Sequence, residues 1–123
     1  MRANWKMPKE LRVHYDAELQ KAREHLLFDQ LMLCWRHLER AHIIGQPWAV
    51  EHTYSHWRML KFAFYIKDWS EIIGQLPRLI VGGVKSYVGK IPTGNTGGAN
   101  VPPLQPMEIP EDLKLIMKPF IKS

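Results

Sequence analysis

The sequence feature that most constrains the fold is an apolar residue at every third or fourth position throughout residues 9–88. In residues 9–27 this repeat consists of Leu11, Tyr15, Leu19, Ala22 and Leu26. Such spacing places apolar side chains on one face of an α-helix. The repeat ends at residue 89, because residues 89–110 contain five prolines and four glycines. The chain therefore predicts a helical region followed by a segment that is neither helix nor central strand.

Four helices are predicted before residue 89. They cover residues 9–27, 30–44, 49–67 and 71–87. Asp29 is a candidate N-cap for the second helix, although the first two helices could equally form one long helix with a bend. Asp68 or Ser70 can cap the fourth helix, and Pro77 predicts that this helix is kinked or broken.

The buried faces of these helices are predicted from their large apolar side chains. The inward residues are Leu31, Trp35, Leu38 and His42 on the second helix, and Thr53, Trp57, Leu60 and Phe64 on the third. The tryptophans at positions 35, 48, 57 and 69 have helical spacing, so we expect them in the core.

The length of 123 residues fits one domain. We expect a single domain over 1–123, with a helical core at 9–88 and a Pro/Gly-rich strap with a short terminal helix at 89–123. The predicted fold class is all-α: a four-helix antiparallel hairpin bundle, similar to helical repeats, with this C-terminal strap. The repeat character is indicated by residues 43–47 (IIGQP) and 72–77 (IIGQLP), which begin 29 positions apart.

Composition argues against several classes of protein. Hydrophobic residues make up 46% of the chain, which is too much for disorder throughout. A single cysteine excludes an intramolecular disulfide and a multi-thiolate zinc site. The net charge is +5, but the basic residues are interleaved with acidic ones and no nucleic-acid motif accompanies them. We therefore do not expect a nucleic-acid partner. Without a signal peptide or an apolar run of about 20 residues, we expect a soluble cytoplasmic protein with no membrane partner.

Histidines and glutamates at helical spacing form the candidate site. His52 and His56 are four residues apart on the third helix, a spacing with which two imidazoles can bind one metal ion. Glu39 and His42 share one face of the second helix, and the short turn between the two helices packs them together. Glu71, near the start of the fourth helix, can add a carboxylate. These five residues predict a site for zinc, iron or manganese.

Known helical metal sites differ from this arrangement. Di-iron bundles use two Glu-x-x-His motifs, and this chain has only the one from Glu39 to His42. Zinc proteases place a glutamate inside the His-x-x-x-His turn, where this chain has Thr-Tyr-Ser. What remains is a mononuclear site of His42, His52, His56 and either Glu39 or Glu71.

The same cluster has a structural interpretation. Histidines on a half-buried helix are often satisfied by a neighbouring carboxylate or a backbone carbonyl. The protein would then be a helical-hairpin interaction module, in which the strap or an exposed groove binds a protein partner. The strap could also reach a second copy of the chain. The sequence leaves open whether the protein is an enzyme.

Four segments of the chain carry a resemblance to a known family. They are residues 38–46 (LERAHIIGQ), residues 55–60 (SHWRML) with His52 before them, Gly74-Gln75, and residues 92–98 (PTGNTGG). Together they resemble a family of short bacterial proteins catalogued as domain of unknown function 3703, over about residues 10–112. The resemblance implies a small bacterial helical domain and names no activity.

Overall fold

The computed structural model of the protein describes residues 6–88, 96–99 and 107–121. Within these residues it contains five helices and no strand, which confirms the all-α class for this part of the chain. The helices are α1 (Lys9–Leu27), α2 (Leu31–Gly45), α3 (Ala49–Ile66), α4 (Trp69–Val88) and α5 (Glu111–Met117). None of the described helices is both long enough and apolar enough to cross a bilayer.

Helices α1 and α2 are separate and are joined by a turn at residues 28–30. The N–H of Gln30 donates to the carbonyl of His25 at 2.8 Å, and Asp29 has a left-handed φ of +57°. A left-handed residue ends a helix, so one long bent helix is excluded. The prediction of Asp29 as the N-cap of α2 is wrong, because Gln30 occupies that position. The side chain of Gln30 makes no capping hydrogen bond.

The connection between α3 and α4 contains a predicted capping residue. Lys67 closes α3 with a left-handed φ of +59°. Asp68 Oδ1 accepts a hydrogen bond from the N–H of Glu71 at 3.1 Å. This bond satisfies a donor in the first turn of α4, so Asp68 caps that helix. The helix then continues across Pro77 to Val88 and is not broken there.

The helices pack mainly on their neighbours in the chain. α1 packs on α2, α2 on α3 and α3 on α4, while α5 lies against α1 and α2. The main core includes Leu11, Tyr15, Leu38, Ile44, Trp48, Met59, Phe62 and Leu113. Most of the described contacts thus run between successive helices, and closure into a four-helix bundle stays a prediction.

Helix α3 buries a different face from the one predicted. Trp57 and Phe64 were expected inside but are 43% and 53% exposed. The buried residues of α3 are Glu51, His52, Ser55, His56, Met59, Leu60, Phe62 and Ala63. His52 and His56 therefore lie in the middle of the buried face. Polar side chains can occupy such a face when they satisfy one another, which leaves the large aromatic rings at the surface.

Part of the predicted strap is described by the structure. Residues 89–95 and 100–106 lie outside the described residues. Residues 96–99 contact α4, where the N–H of Ala99 donates to Glu71 Oε2 at 2.8 Å. Ile109 packs against the main core. The terminal helix begins directly after Pro110, as predicted.

Candidate metal centre

A tight turn between α2 and α3 brings three histidines together. The N–H of Trp48 donates to the carbonyl of Gly45 at 2.9 Å, and α3 begins at the next residue. His42 lies in the last turn of α2, and His52 lies in the first turn of α3. His56 follows one turn later on the same face of α3, so all three side chains meet where the two helices pack.

The three imidazoles pack against one another in the interior. The ring centroids of each pair are 4.6 to 4.9 Å apart. One nitrogen from each ring can be chosen so that all three lie within 4.8 Å of one another. Nε2 of His42 is 3.1 Å from Nε2 of His56. The exposed fractions of His42, His52 and His56 are 1%, 8% and 4%, so the cluster is almost fully removed from water.

Gln75, on α4, contacts His56 from the other side. Its Oε1 lies 2.6 Å from Nδ1 of His56. Its Nε2 donates to Oε2 of Glu71 at 2.6 Å and to the carbonyl of Gly97 at 2.7 Å. Because the amide nitrogen faces these two acceptors, the amide oxygen is the atom that faces His56. An amide oxygen can only accept, so Nδ1 of His56 carries the hydrogen and its Nε2 holds a lone pair.

Burial keeps His56 neutral near pH 7. Desolvation lowers its pKa from 6.5 to about 4, the hydrogen bond with Gln75 raises it, and the charge of Arg78 lowers it. Desolvation also lowers the pKa of Arg78, while the negative charge of Glu71 raises it. A neutral imidazole with a lone pair on Nε2 is the form that can coordinate a metal ion.

The backbone of Gly97 covers the ring of His42. Gly97 has a φ of +88°. A Cβ at this position would lie 2.7 to 2.9 Å from three ring atoms of His42. The Gly97 carbonyl accepts hydrogen bonds from Gln75 and, at 3.1 Å, from Nη1 of Arg78. Residues 96–99 therefore form one wall of the histidine cluster, and this wall has no room for a side chain at position 97.

The two predicted carboxylates lie outside the group of histidines. Glu39 Oε2 accepts a hydrogen bond from Nε1 of Trp35 at 2.9 Å. Glu71 Oε2 accepts hydrogen bonds from Gln75 and Ala99. Both carboxylates line a groove of about 440 Å³, where desolvation raises the pKa of Glu39 and the charge of Glu71 raises it further. The structure thus brings together the three histidines and directs Glu39 and Glu71 to other partners.

The distance between His42 and His56 suits a pair of ligands on one metal ion. Two ligands of a tetrahedral zinc ion lie about 3.3 Å apart, because Zn–N bonds are about 2.0–2.1 Å long. The separation of 3.1 Å between Nε2 of His42 and Nε2 of His56 is close to this value. It also fits a direct hydrogen bond in which His42 donates to the lone pair of His56. The arrangement therefore suits both a metal site and a structural network.

Gln75 and Gly97 are site residues that the sequence interpretation did not identify. A signal for Gln75 was present in the internal repeat, where it corresponds to Gln46, and both glutamines are buried. For Gly97 the signal was the family resemblance of residues 92–98, which marks this segment without assigning it a role. Neither residue could be identified from the spacing of potential ligands along one helix. Gln75 on α4 contacts His56 on α3, and Gly97 contacts His42 on α2.

The comparisons with known proteins identify a family. No curated protein and no solved structure matches the chain. A family model described as a protein of unknown function (DUF3703) matches residues 9–117. These bounds coincide with the first residue of α1 and the last residue of α5. The match includes all three histidines, Gln75 and Gly97, and it is the family that the four sequence segments resemble. The chain therefore belongs to the DUF3703 family.

Proposed function

We propose that this protein binds a single divalent transition-metal ion through His42, His52 and His56. The observation that carries the proposal is the group of three buried imidazoles whose potential ligand atoms lie within 4.8 Å of one another. The hydrogen bond with Gln75 leaves Nε2 of His56 with a lone pair directed at this group. Three imidazole nitrogens are a common ligand set for one zinc ion.

The donor atoms favour particular metals among the three that the sequence predicts. Imidazole nitrogen suits zinc and iron(II), whereas manganese prefers carboxylate and other oxygen ligands. The group contains no carboxylate among the described residues, so we expect zinc or iron. A fourth ligand from Glu39 or Glu71 would require that carboxylate to leave its bond with Trp35 or Gln75. Without it, a water molecule would complete the coordination, as in zinc sites with three protein ligands.

The test is elemental analysis of untagged protein purified without chelator, together with melting curves in zinc and in EDTA. We expect one equivalent of zinc or iron per chain. A ligand present at about 100 times its Kd stabilises the folded state by about 2.7 kcal/mol. For a domain of this size, such a gain raises the Tm by about 10 °C. Addition of EDTA should remove this increase.

The double variant His52→Ala/His56→Ala locates the metal. It should contain almost no metal, and zinc should leave its Tm unchanged. The matched control is His14→Ala, which removes an exposed histidine of α1 and should keep both the metal and the Tm increase. Each variant is compared with itself in zinc and in EDTA, so the cost of truncating a buried histidine cancels. The proposal is wrong if wild-type protein contains no metal and its Tm responds to neither zinc nor EDTA.

A second candidate function is the binding of a protein partner, with the histidines as a structural network. Exposed aromatic side chains near the junction of α3 and α4 favour it, because Phe64, Tyr65 and Trp69 are 53%, 59% and 65% exposed. Large exposed apolar side chains mark interaction sites where they form a contiguous patch. In that case the Tm is insensitive to EDTA, and replacing Phe64 and Trp69 by Ser changes the molar mass measured by light scattering or the partners retained. Both functions suit a reducing cytoplasm, which the free and buried thiol of Cys34 favours.

A further inference from the structure

We propose that Gln75 is the positioning residue of the metal site, which fixes the tautomer of His56 and holds the backbone of Gly97 against His42. For metal affinity this inference rests on the proposed function, whereas the effect on His56 exists without a metal. Gln75 is fully buried and lies on α4, a helix that contributes no histidine. Its side-chain amide contacts three different parts of the site, namely His56, Gly97 and Glu71.

The first contact selects the form of His56. A neutral imidazole carries one hydrogen, and the hydrogen bond made by one ring nitrogen decides which nitrogen holds it. Gln75 Oε1, at 2.6 Å from Nδ1, requires the hydrogen on Nδ1. The opposite tautomer would turn an Nε2–H toward His42 and would leave no lone pair there for a metal ion. Hydrogen bonds of this type orient histidine ligands in known metal sites.

The second contact acts on His42 through the backbone. Gln75 Nε2 donates to the carbonyl of Gly97 at 2.7 Å. The space above the Gly97 Cα is filled by the ring of His42, whose atoms would lie 2.7 to 2.9 Å from an added Cβ. A peptide held this close limits the rotation of the imidazole. One amide therefore acts on two histidines that belong to different helices.

The third contact orients the amide itself. Glu71 Oε2 accepts from Gln75 Nε2 at 2.6 Å and from the N–H of Ala99 at 2.8 Å. If the amide were reversed, its oxygen would face the carboxylate of Glu71 and the carbonyl of Gly97, with repulsion from both. Glu71, which the sequence predicted as a metal ligand, thus keeps the oxygen of Gln75 directed at His56.

The tautomer of His56 can be measured in the metal-free wild-type protein. Long-range 1H–15N correlation spectra distinguish a ring nitrogen that carries hydrogen from one that holds a lone pair. We expect Nδ1 of His56 to carry the hydrogen and Nε2 to hold the lone pair. Hydrogen on Nε2 would overturn the proposal, and the measurement requires neither a metal nor a variant.

Two substitutions separate the contacts of Gln75. Gln75→Leu removes both the acceptor for His56 and the donor for Gly97, and it should weaken zinc binding about 10- to 100-fold. Zinc affinity is measured by competition with a chromogenic chelator. Gln75→Glu keeps an oxygen that can accept from His56. We combine it with Glu71→Gln, so that the new amide at position 71 can donate to the new carboxylate at position 75. The double variant should retain the Nδ1–H form of His56 and bind zinc more tightly than Gln75→Leu, while amide hydrogen exchange at residues 97–99 becomes faster.

Gln46→Leu is the matched control. Gln46 is a buried glutamine one turn beyond His42, and its Oε1 has no hydrogen-bond partner among the described residues. This variant should leave zinc affinity and the His56 tautomer unchanged. An equal loss of affinity in Gln46→Leu and Gln75→Leu would overturn the role of Gln75, as would unchanged affinity in a folded Gln75→Leu protein. If wild-type protein binds neither zinc nor iron, the proposed function fails, and the spectra of His56 still decide whether Gln75 selects its tautomer.

Discussion

Gly97 is the residue near the histidines whose identity is most restricted. Its φ of +88° costs an L-residue about 1–3 kcal/mol. A side chain there would also press on the ring of His42. We predict that Gly97→Ala lowers the free energy of unfolding by at least about 1 kcal/mol and weakens zinc binding, because the imidazole must move. Urea unfolding and a zinc titration measure the two effects.

Gly98→Ala provides the comparison for this variant. Gly98 is the next residue of the same buried segment, and its φ is not in the left-handed region. The substitution should therefore cost less than Gly97→Ala and leave zinc affinity close to that of the wild type. Zinc binding that is equally strong in Gly97→Ala and wild-type protein would show that Gly97 does not position His42.

Single residues differ in how far the sequence could predict their place. The grouping of His42, His52 and His56 followed from helical spacing and a short turn, which are local properties. The role of Gln75 depends on how α4 packs on α3, and a neutral amide has no ligand spacing that reveals it. Glu39 and Glu71 were chosen because carboxylates bind metals. In the structure Glu39 accepts from Trp35 and Glu71 accepts from Gln75, each a neighbour four residues away on the same helix. Glu71 also accepts from the N–H of Ala99, a contact that depends on how residues 96–99 pack on α4.

At the scale of the helices, one tyrosine joins α1 to α3. The buried hydroxyl of Tyr15 donates to the carbonyl of Glu51 at 2.9 Å and lies 3.0 Å from Oγ of Ser55. Desolvation raises the pKa of Tyr15, so the hydroxyl keeps its hydrogen at physiological pH. We predict that Tyr15→Phe lowers the free energy of unfolding by about 1 kcal/mol, because a net hydrogen bond is lost. The shift of the urea midpoint measures the loss.

Tyr65→Phe is the control for this link between helices. Tyr65 is on α3, and its side chain is mostly exposed, so loss of its hydroxyl should leave the urea midpoint unchanged. A midpoint that stays the same in Tyr15→Phe as well would mean that the hydroxyl of Tyr15 does not stabilise the contact between α1 and α3.

The helices themselves could be predicted better than their orientation. Their bounds follow from local signals such as the left-handed Lys67 and the cap at Asp68. The buried face of α3 could not be assigned by hydrophobicity, since His52 and His56 take the inner positions and Trp57 remains half-exposed. Hydrogen bonds join His42 to His56 and His56 to Gln75, and they lower the penalty for burying these polar groups. Only the packed structure contains that information.

At the scale of the whole molecule, α5 connects the end of the described chain to its beginning. Leu113 and Met117 are buried in the main core formed by α1, α2 and α3. The guanidinium of Arg40 on α2 bridges Glu18 on α1, at 3.0 Å, and Asp112 on α5. The core therefore uses residues from both ends of the chain. This is the arrangement expected if residues 1–123 form a single domain, which stays a prediction until their cooperativity is measured.

Two leucines of α5 make that measurement possible. Leu113 is 0% exposed and Leu115 is 71% exposed, although they are two residues apart on one helix. We predict that Leu113→Ala lowers the free energy of unfolding by about 2–5 kcal/mol, because it leaves a cavity in the core. Leu115→Ala should change it by less than about 0.5 kcal/mol.

The cooperativity of the domain decides what the Leu113→Ala variant does beyond α5. In a single cooperative unit, circular dichroism and tryptophan fluorescence shift to the same lower midpoint, and zinc binding is lost at that midpoint too. If α5 only docks on an independently stable core, part of the helical signal melts early while tryptophan fluorescence and zinc binding keep the wild-type midpoint, because α5 contains no tryptophan. The second result would divide the chain into a stable unit that contains the histidines and a dispensable terminal helix. Such a division is compatible with the proposed metal site, because its histidines lie on α2 and α3 and its positioning residue lies on α4.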